Sequence, residues 1–193
     1  MAENGETILK LMGEIRKICM QIAQLLGTAD QLFEEHGWLT ANSTTVTGGN
    51  SVSLNKPKEW VPEFYCRFYT NKKLPTVLLY IAVILDNREN NENYAAKEKD
   101  EFDEPLLTSG YFVHPNKDIG IPVKHRCRWH VYSEDPHYNG NIYETIPGDD
   151  WGENEKDFDK LRSLAFPLVS VKNSDELKSK VVDLIINDMK SIF

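Results

Sequence analysis

The most continuously apolar part of this chain is Leu74-Pro75-Thr76-Val77-Leu78-Leu79-Tyr80-Ile81-Ala82-Val83-Ile84-Leu85. A run without polar alternation is typical of an element that is buried on both faces, and this one is too short to cross a bilayer. Many of its side chains are β-branched, Pro75 stands at its entrance, and Asp86-Asn87 follows with turn chemistry. We therefore predict a central β-strand around which the other elements pack.

A second strand is predicted directly before this run. Its side chains alternate with period two, which is typical of a half-buried strand: Phe64, Cys66 and Phe68 on one side, and Tyr65, Arg67 and Tyr69 on the other. Only Asn71-Lys72-Lys73 separates it from the central strand. Because this connection is so short, the two strands should form an antiparallel hairpin.

The N-terminal segment, residues 1–37, has the periodicity of one long amphipathic helix that stops at Gly37. At about 1.5 Å per residue it would be roughly 40 Å long, so part of it could overhang the sheet. Its apolar stripe consists of Ile8, Leu11, Ile15, Ile18, Ile22, Leu25, Ala29 and Leu32, with Met12, Cys19, Leu26 and Phe33 beside it. The positions expected to face solvent are Glu14, Arg16, Lys17, Gln21, Gln24 and Asp30.

Two interpretations of this helix are open. It could lie on the sheet of its own domain, which the widened stripe favours, or it could pair with the same helix of a second copy and form a homodimer.

The elements after the central strand are less regular. We predict a third strand at Leu106–Val113 with a bulge or kink at Gly110, and a fourth at Lys124–Tyr132 with Cys127, Trp129 and Val131 inward. Earlier in the chain, 45–53 could form a hairpin about Gly48-Gly49-Asn50, or a loop.

The C-terminal part reads as a short helix, an edge strand and a terminal helix. The short helix would place Phe158, Leu161 and Leu164 inward and stop before Pro167, and Leu168–Val171 would be the edge strand. Asn173 and Glu176 are spaced as a capping box. The terminal helix should bury Leu177, Val181, Leu184, Ile185 and Ile192.

These elements predict an α+β fold. An antiparallel sheet of four to five strands would carry the N-terminal and C-terminal helices on one face, with residues 1–193 forming a single domain.

Composition restricts the compartment and the partners. The net charge of -8 argues against non-specific binding of nucleic acid. The sequence shows neither a secretory signal nor a transmembrane stretch, so we expect a cytoplasmic protein without a membrane partner. Cys19, Cys66 and Cys127 are odd in number and widely spaced, which predicts reduced, mostly buried thiols.

No catalytic or cofactor motif is present in the sequence, and we predict neither a cofactor nor a metal site. The residues that come closest to a catalytic or metal site are His130, Asp135 and His137, which could converge around a turn. Together with loop carboxylates they give an alternative function, a metal-assisted hydrolase or nuclease.

The preferred functional hypothesis is a non-enzymatic binding or regulatory module with a basic, aromatic sheet face. Arginine forks bind carboxylate or phosphate, and tyrosines add stacking and a hydroxyl, so the partner would be a small anionic ligand or an acidic protein. The face would carry Tyr65, Arg67, Tyr69, Arg126, Arg128, His130 and Tyr132. The alternative is an ordinary solvated strand face, or one neutralised by the acidic loop 87–104.

Overall fold

The computed structural model describes residues 2–48, 55, 61–85, 104–114, 140–146 and 158–193. Its strands are β1 (Leu39–Thr40), β2 (Thr47–Gly48), β3 (Phe64–Asn71), β4 (Leu74–Ile84), β5 (Leu106–Val113), β6 (Tyr143–Thr145) and β7 (Lys160–Pro167). Helix α1 spans Ala2–Glu34. The C-terminal run 174–192, which we call α2, consists of α-helical Ser174–Leu177, a π-helical turn at Lys178–Val182 and α-helical Asp183–Ile192.

The strands form one antiparallel sheet in the order β1-β3-β4-β5-β7-β6, and β2 also pairs with β3. The α+β class, the antiparallel sheet and the two terminal helices are confirmed. Among the residues that the structure describes, the sheet has seven strands rather than four to five. The strands that the sequence did not predict are the short β1 and β6 and the longer β7.

The central strand is confirmed as β4, which pairs with β3 on one side and β5 on the other. Its residues from Val77 to Ile84 are all buried. The β3–β4 hairpin is also confirmed, with Phe64 opposite Ile84 at its open end.

The half-buried interpretation of β3 is wrong. Phe64, Cys66 and Phe68 share one core cluster, as the alternation predicts, but Tyr69 on the other side is fully buried and belongs to a second cluster. A polar set of side chains on a strand can therefore face a helix rather than water.

Strand β5 coincides with the predicted third strand, but its pairing with both neighbours runs without a register break at Gly110. The predicted bulge or kink is thus wrong. Glycine is required here because a Cβ would overlap the carbonyl oxygen of Arg162 and lie 2.9 Å from the Cα of Ser163.

The segment predicted as a short helix before Pro167 is strand β7. The spacing of three residues between Leu161 and Leu164 imitates a helix, but in a strand it places the two side chains on opposite faces, and each belongs to a different core cluster. Leu168–Ser170 is a 3-10 helix rather than an edge strand.

Both helices pack on the same face of the sheet, over the larger core cluster. That cluster joins Phe33 of α1, Ile81 of β4 and Val181 of α2. The opposite face carries the smaller cluster around Phe64, Tyr80 and Phe112. Strand β4 is buried on both of its faces because one core cluster lies on each side of the sheet.

Helix α2 begins with the predicted cap, because the Asn173 side chain accepts a hydrogen bond from the backbone N–H of Glu176 at 2.9 Å. The π-helical turn inserts one residue and shifts the buried stripe, so the predicted inward positions of Leu184 and Ile192 are wrong. The buried residues are Leu177, Val181, Val182, Ile185, Ile186 and Met189.

Helix α1 confirms the predicted amphipathic helix and ends where Gly37 adopts a φ of 81°. The apolar stripe of α1 from Ile8 onward, which we call its seam, divides into two parts. The packed half, residues 22–33, is buried through Ile22, Leu26, Ala29 and Phe33. The free half, residues 8–18, leaves its seam exposed.

Among the described helices, none has both the length and the apolarity that a membrane crossing needs. Several predictions lie outside the described residues, namely the strand at 124–132, the Gly49-Asn50 part of the turn and the loop 87–103. Of the hairpin at 45–53, the described part Thr47–Gly48 pairs antiparallel with β3.

Candidate interaction site

Arg67 and Tyr69 lie against the packed half of α1, where both contact one carboxylate. Arg67 forms a bidentate ion pair with Asp30, with Nη2 2.5 Å from Oδ2 and Nε 3.2 Å from Oδ1. Tyr69 donates its hydroxyl to Asp30 Oδ1 at 2.8 Å. A further guanidinium N–H of Arg67 donates to the carbonyl of Thr45 at 2.9 Å. We call Asp30, Arg67 and Tyr69 the Asp30 cluster.

The Asp30 cluster is closed to solvent on the strand side. The Arg67 side chain is only 5% exposed, whereas that of Asp30 is 28% exposed. Burial, followed by the charge of Asp30, raises the pKa of Tyr69 far above its usual value, so this hydroxyl stays protonated and donates. Arg67 and Tyr69 were expected to point away from the core, and that expectation is wrong.

Tyr65 is the third predicted face residue on β3, and it too turns toward α1. Its hydroxyl lies 3.3 Å from the Cys19 thiol, and the side chain is half-buried. Burial and the hydrogen bond with Cys19 raise the pKa of Tyr65 to about 12. The three β3 residues are thus brought together, but they form a contact between helix and sheet.

The remaining predicted face residues, Arg126, Arg128, His130 and Tyr132, lie outside the described residues, as do Asp135 and His137 of the alternative metal site. Within the described ranges, no three His, Cys, Asp or Glu side chains converge so as to hold a metal ion. Neither Cys19 nor Cys66 forms a disulfide; Cys66 is buried and Cys19 is partly exposed, and Cys127 lies outside the described part.

A second cluster of the same chemistry holds α2 to the sheet. Arg162 of β7 forms a bidentate pair with Asp188 of α2, at 2.7 and 2.8 Å, and Tyr111 of β5 donates to the same carboxylate at 2.7 Å. Glu144 of β6 accepts from the remaining side of Arg162 at 2.8 Å. We call these four residues the Asp188 cluster.

The charges of the Asp188 cluster stabilise each other. Burial alone would raise the pKa of Asp188, but the hydrogen bonds from Arg162 and Tyr111 and the charge of Arg162 lower it below its usual value. The hydrogen bond from Arg162 also lowers the pKa of Glu144. Arg162 therefore pairs with two carboxylates of the same protein, those of Glu144 and Asp188.

A small cleft lies between the end of α1, the β3–β4 turn and α2. Trp38, Ile186 and Met189 supply its apolar wall, and Lys73 and Lys190 lie at its edge. Its volume of about 280 Å³ falls below the range of about 300–1,000 Å³ that is usual for small-ligand sites. The cleft does not by itself indicate a ligand.

The free half of α1 carries five exposed apolar side chains along one face of the helix. The exposed fractions are 60% for Ile8, 57% for Leu11, 43% for Met12, 38% for Ile15 and 45% for Ile18. These residues continue the seam that is buried from Ile22 onward. An exposed, continuous apolar patch of this kind usually marks an interface.

Sequence reasoning missed the role of Asp30 and Asp188. Asp30 was expected to face solvent because it lies between apolar seam positions, yet it accepts hydrogen bonds from two β3 side chains. The signal that could have revealed it is the presence of Arg67 and Tyr69 on a strand whose other face carries Phe64, Cys66 and Phe68. Such a strand needs a buried counter-charge as soon as a helix covers it.

No protein-family model, no curated protein and no solved structure matches this chain.

Proposed function

We propose that this protein is a non-enzymatic binding or regulatory module of the cytosol that assembles as a homodimer through the free half of α1. The observation that carries the proposal is the division of one apolar seam into a buried and an exposed part. A monomer gains nothing from extending such a seam into water, whereas a partner helix would cover it.

The spacing of the free half supports a helical partner. Ile8, Leu11, Ile15 and Ile18 are separated by three, four and three residues, which is the a/d pattern of a coiled-coil seam. Met12 widens the seam at position e. Between Ile8 and Ile18, the e and g positions that flank the seam carry one charged residue, Glu14. Its carboxylate is already paired with Lys17 at 2.9 Å. The seam can therefore be covered without burying an unpaired charge.

The energetics favour a reversible dimer. Each half-exposed side chain of this type gains about 1 kcal/mol when it is covered, since full burial is worth about 1.5–3 kcal/mol. Two copies bring ten such side chains, against an association cost of about 4–15 kcal/mol. We therefore expect a dimer that dissociates on dilution.

The test is sedimentation velocity over a wide range of protein concentration. The wild type should shift from monomer to dimer as concentration rises. Ile15→Lys should remain monomeric, because it places a charge in the seam. The matched control is Met20→Lys, which adds the same charge to the same helix at a position that is 64% exposed and off the seam. A wild type that stays monomeric throughout, or equal disruption by both variants, would refute the proposal.

Two earlier hypotheses stay predictions. An anionic ligand or acidic protein could still bind through Arg126, Arg128, His130 and Tyr132, and the hydrolase or nuclease alternative depends on His130, Asp135 and His137. All of these lie outside the described residues. Arg67, with its carboxylate partner in place, no longer supports the first of them.

A further inference from the structure

We propose that the two copies of α1 pair antiparallel about a twofold axis that passes near residue 13. This inference rests on the proposed homodimer and adds its geometry. The layers would be Ile8 against Ile18 of the second copy, and Leu11 against Ile15 of the second copy. Each layer would occur twice, as an isologous interface requires.

The spacing of the seam residues in the free half is the same in both directions along the helix. A parallel pair would align each seam residue with the same residue of the second copy, and the steps of three, four and three residues mean that reversing one helix also aligns the seams, with an a position against a d position in every layer. Spacing alone therefore permits either orientation. The surroundings of the seam discriminate between them.

A parallel partner would collide with the sheet. The face that is exposed at Ile15 and Ile18 is the same face that packs on the sheet from Ile22 onward. A parallel second helix would continue along that face through residues 19–34, about 24 Å at 1.5 Å per residue. Paired helices lie about 8–10 Å apart, and the strands of the first copy already occupy that space beyond residue 18.

An antiparallel partner avoids most of this overlap. Beyond the outermost layer, only residues 2–7 of the second helix point toward the sheet of the first copy, a length of about 9 Å. A helix-crossing angle of about 20° or more lets these ends diverge. The two sheets then lie at opposite ends of the paired helices. The dimer would present two widely separated copies of every other surface of the protein, which suits a bivalent module.

Cysteine cross-linking of the full-length protein tests the orientation. In an antiparallel pair, Met12 of one copy lies beside Met12 of the other, because both are at position e near the axis. Ile8 of one copy is then about ten residues, or about 15 Å, from Ile8 of the other, too far for a disulfide, which needs Cα atoms about 4.4–6.8 Å apart. In a parallel pair, by contrast, the two Ile8 residues lie side by side and the two Met12 residues lie far apart.

The experiment introduces Met12→Cys and Ile8→Cys separately into a Cys19→Ser background, with that background alone as the control for other cysteines. Each variant is first shown to dimerise by sedimentation, then oxidised mildly and analysed on a non-reducing gel. We expect a cross-linked dimer several-fold above the control for Met12→Cys and none above the control for Ile8→Cys.

The failures of the two proposals are distinguishable. Cross-linking through Ile8→Cys, or a dimer that cross-links through neither position, overturns the antiparallel arrangement and leaves the homodimer standing. Absence of any dimer in sedimentation of the wild type overturns the homodimer itself.

Discussion

Helices α1 and α2 lie on the same face of the sheet and are held by the same chemistry, but only one of them is covered along its length. Each is fixed by a bidentate Arg–Asp pair whose carboxylate also accepts a tyrosine hydroxyl. In α2 the buried residues run from Leu177 to Met189. In α1 burial starts only at Ile22, although the apolar seam starts at Ile8.

The width of the sheet, rather than the apolar pattern, therefore sets how much of each helix is buried. The sheet covers about twelve residues of α1, roughly 18 Å at 1.5 Å per residue. The seam of α1 is about twice that long. The excess is the part of the molecule that a second copy can use.

The largest expected effect is the difference in stability between a chain that lacks only the free half of α1 and a chain that lacks the whole helix. A chain that begins at Met20 keeps the packed half and the Asp30 cluster and loses one helix–sheet contact, that of Cys19 with Tyr65. It should fold cooperatively with nearly unchanged stability. A chain that begins at Trp38 loses Ile22, Leu26 and Phe33, each worth about 1.5–3 kcal/mol, from a total stability of about 5–15 kcal/mol.

Urea unfolding monitored by circular dichroism would compare the two fragments with the full chain. We expect a sigmoidal transition for the Met20 fragment and none for the Trp38 fragment. If the fragment from Trp38 unfolds cooperatively, the packed half is an appendage and the division of α1 proposed here is wrong.

The next effect concerns the attachment of the packed half. Asp30→Ala would leave the Arg67 guanidinium, 5% exposed, without its carboxylate, and the Tyr69 hydroxyl without its acceptor. Breaking a buried pair in this way costs about 3–5 kcal/mol, and the partial exposure of Asp30 places the expected loss at the lower end, about 3 kcal/mol.

A double-mutant cycle provides the control. Arg67→Met removes the buried charge, so adding Asp30→Ala to it should cost much less than Asp30→Ala alone. Stability would be measured by urea unfolding at a concentration where the protein is monomeric. Additive losses would show that the two side chains do not stabilise each other.

Sequence alone predicted the central strand, the hairpin before it, the strand at Leu106–Val113 and both terminal helices, because each has a strong hydrophobic pattern or a defined end. It failed at β5 and β7, where contacts with neighbouring strands set the role of individual residues. Leu161 and Leu164 then imitate a helical spacing, and Gly110 imitates a bulge although its role is to let the backbone of Arg162 approach. These constraints come from neighbouring strands that are distant in the sequence.

The candidate interaction site was only partly predictable. The seam from Ile8 to Leu32 and its capacity to pair with a second copy are visible in the sequence, but the residue at which burial begins depends on the sheet. The orientation of Arg67 and Tyr69 was not visible either, because a polar strand face has the same pattern whether water or Asp30 satisfies it. Packing between distant elements decides both outcomes.

The smallest expected effect is a loss of stability at acidic pH, caused by the Asp188 cluster that holds α2 to the sheet. The pKa of Asp188 lies below its ordinary value of 3.8 in the folded protein, since the hydrogen bonds from Arg162 and Tyr111 outweigh its burial. A depressed pKa contributes stability above the unfolded-state pKa, and that contribution is lost as pH falls through the folded-state pKa. Glu144, whose pKa is lowered from 4.5, adds to the same loss. The Asp188 cluster should therefore weaken progressively below about pH 4.

Thermal melts from neutral pH to below pH 4 would show this dependence as a fall in Tm on the acid side. Arg162→Gln should lower the Tm at neutral pH and flatten the fall, because Asp188 and Glu144 then lose the partner that depresses their pKa values. Arg16→Gln removes the same charge from an exposed position on the free half of α1 and is the matched control; it should leave the slope unchanged. An acid slope that stays the same in Arg162→Gln would show that other carboxylates govern the response. In that case the attachment of α2 would depend on its buried apolar stripe, as the packed half of α1 does, and the two arginine clusters would differ in what they contribute.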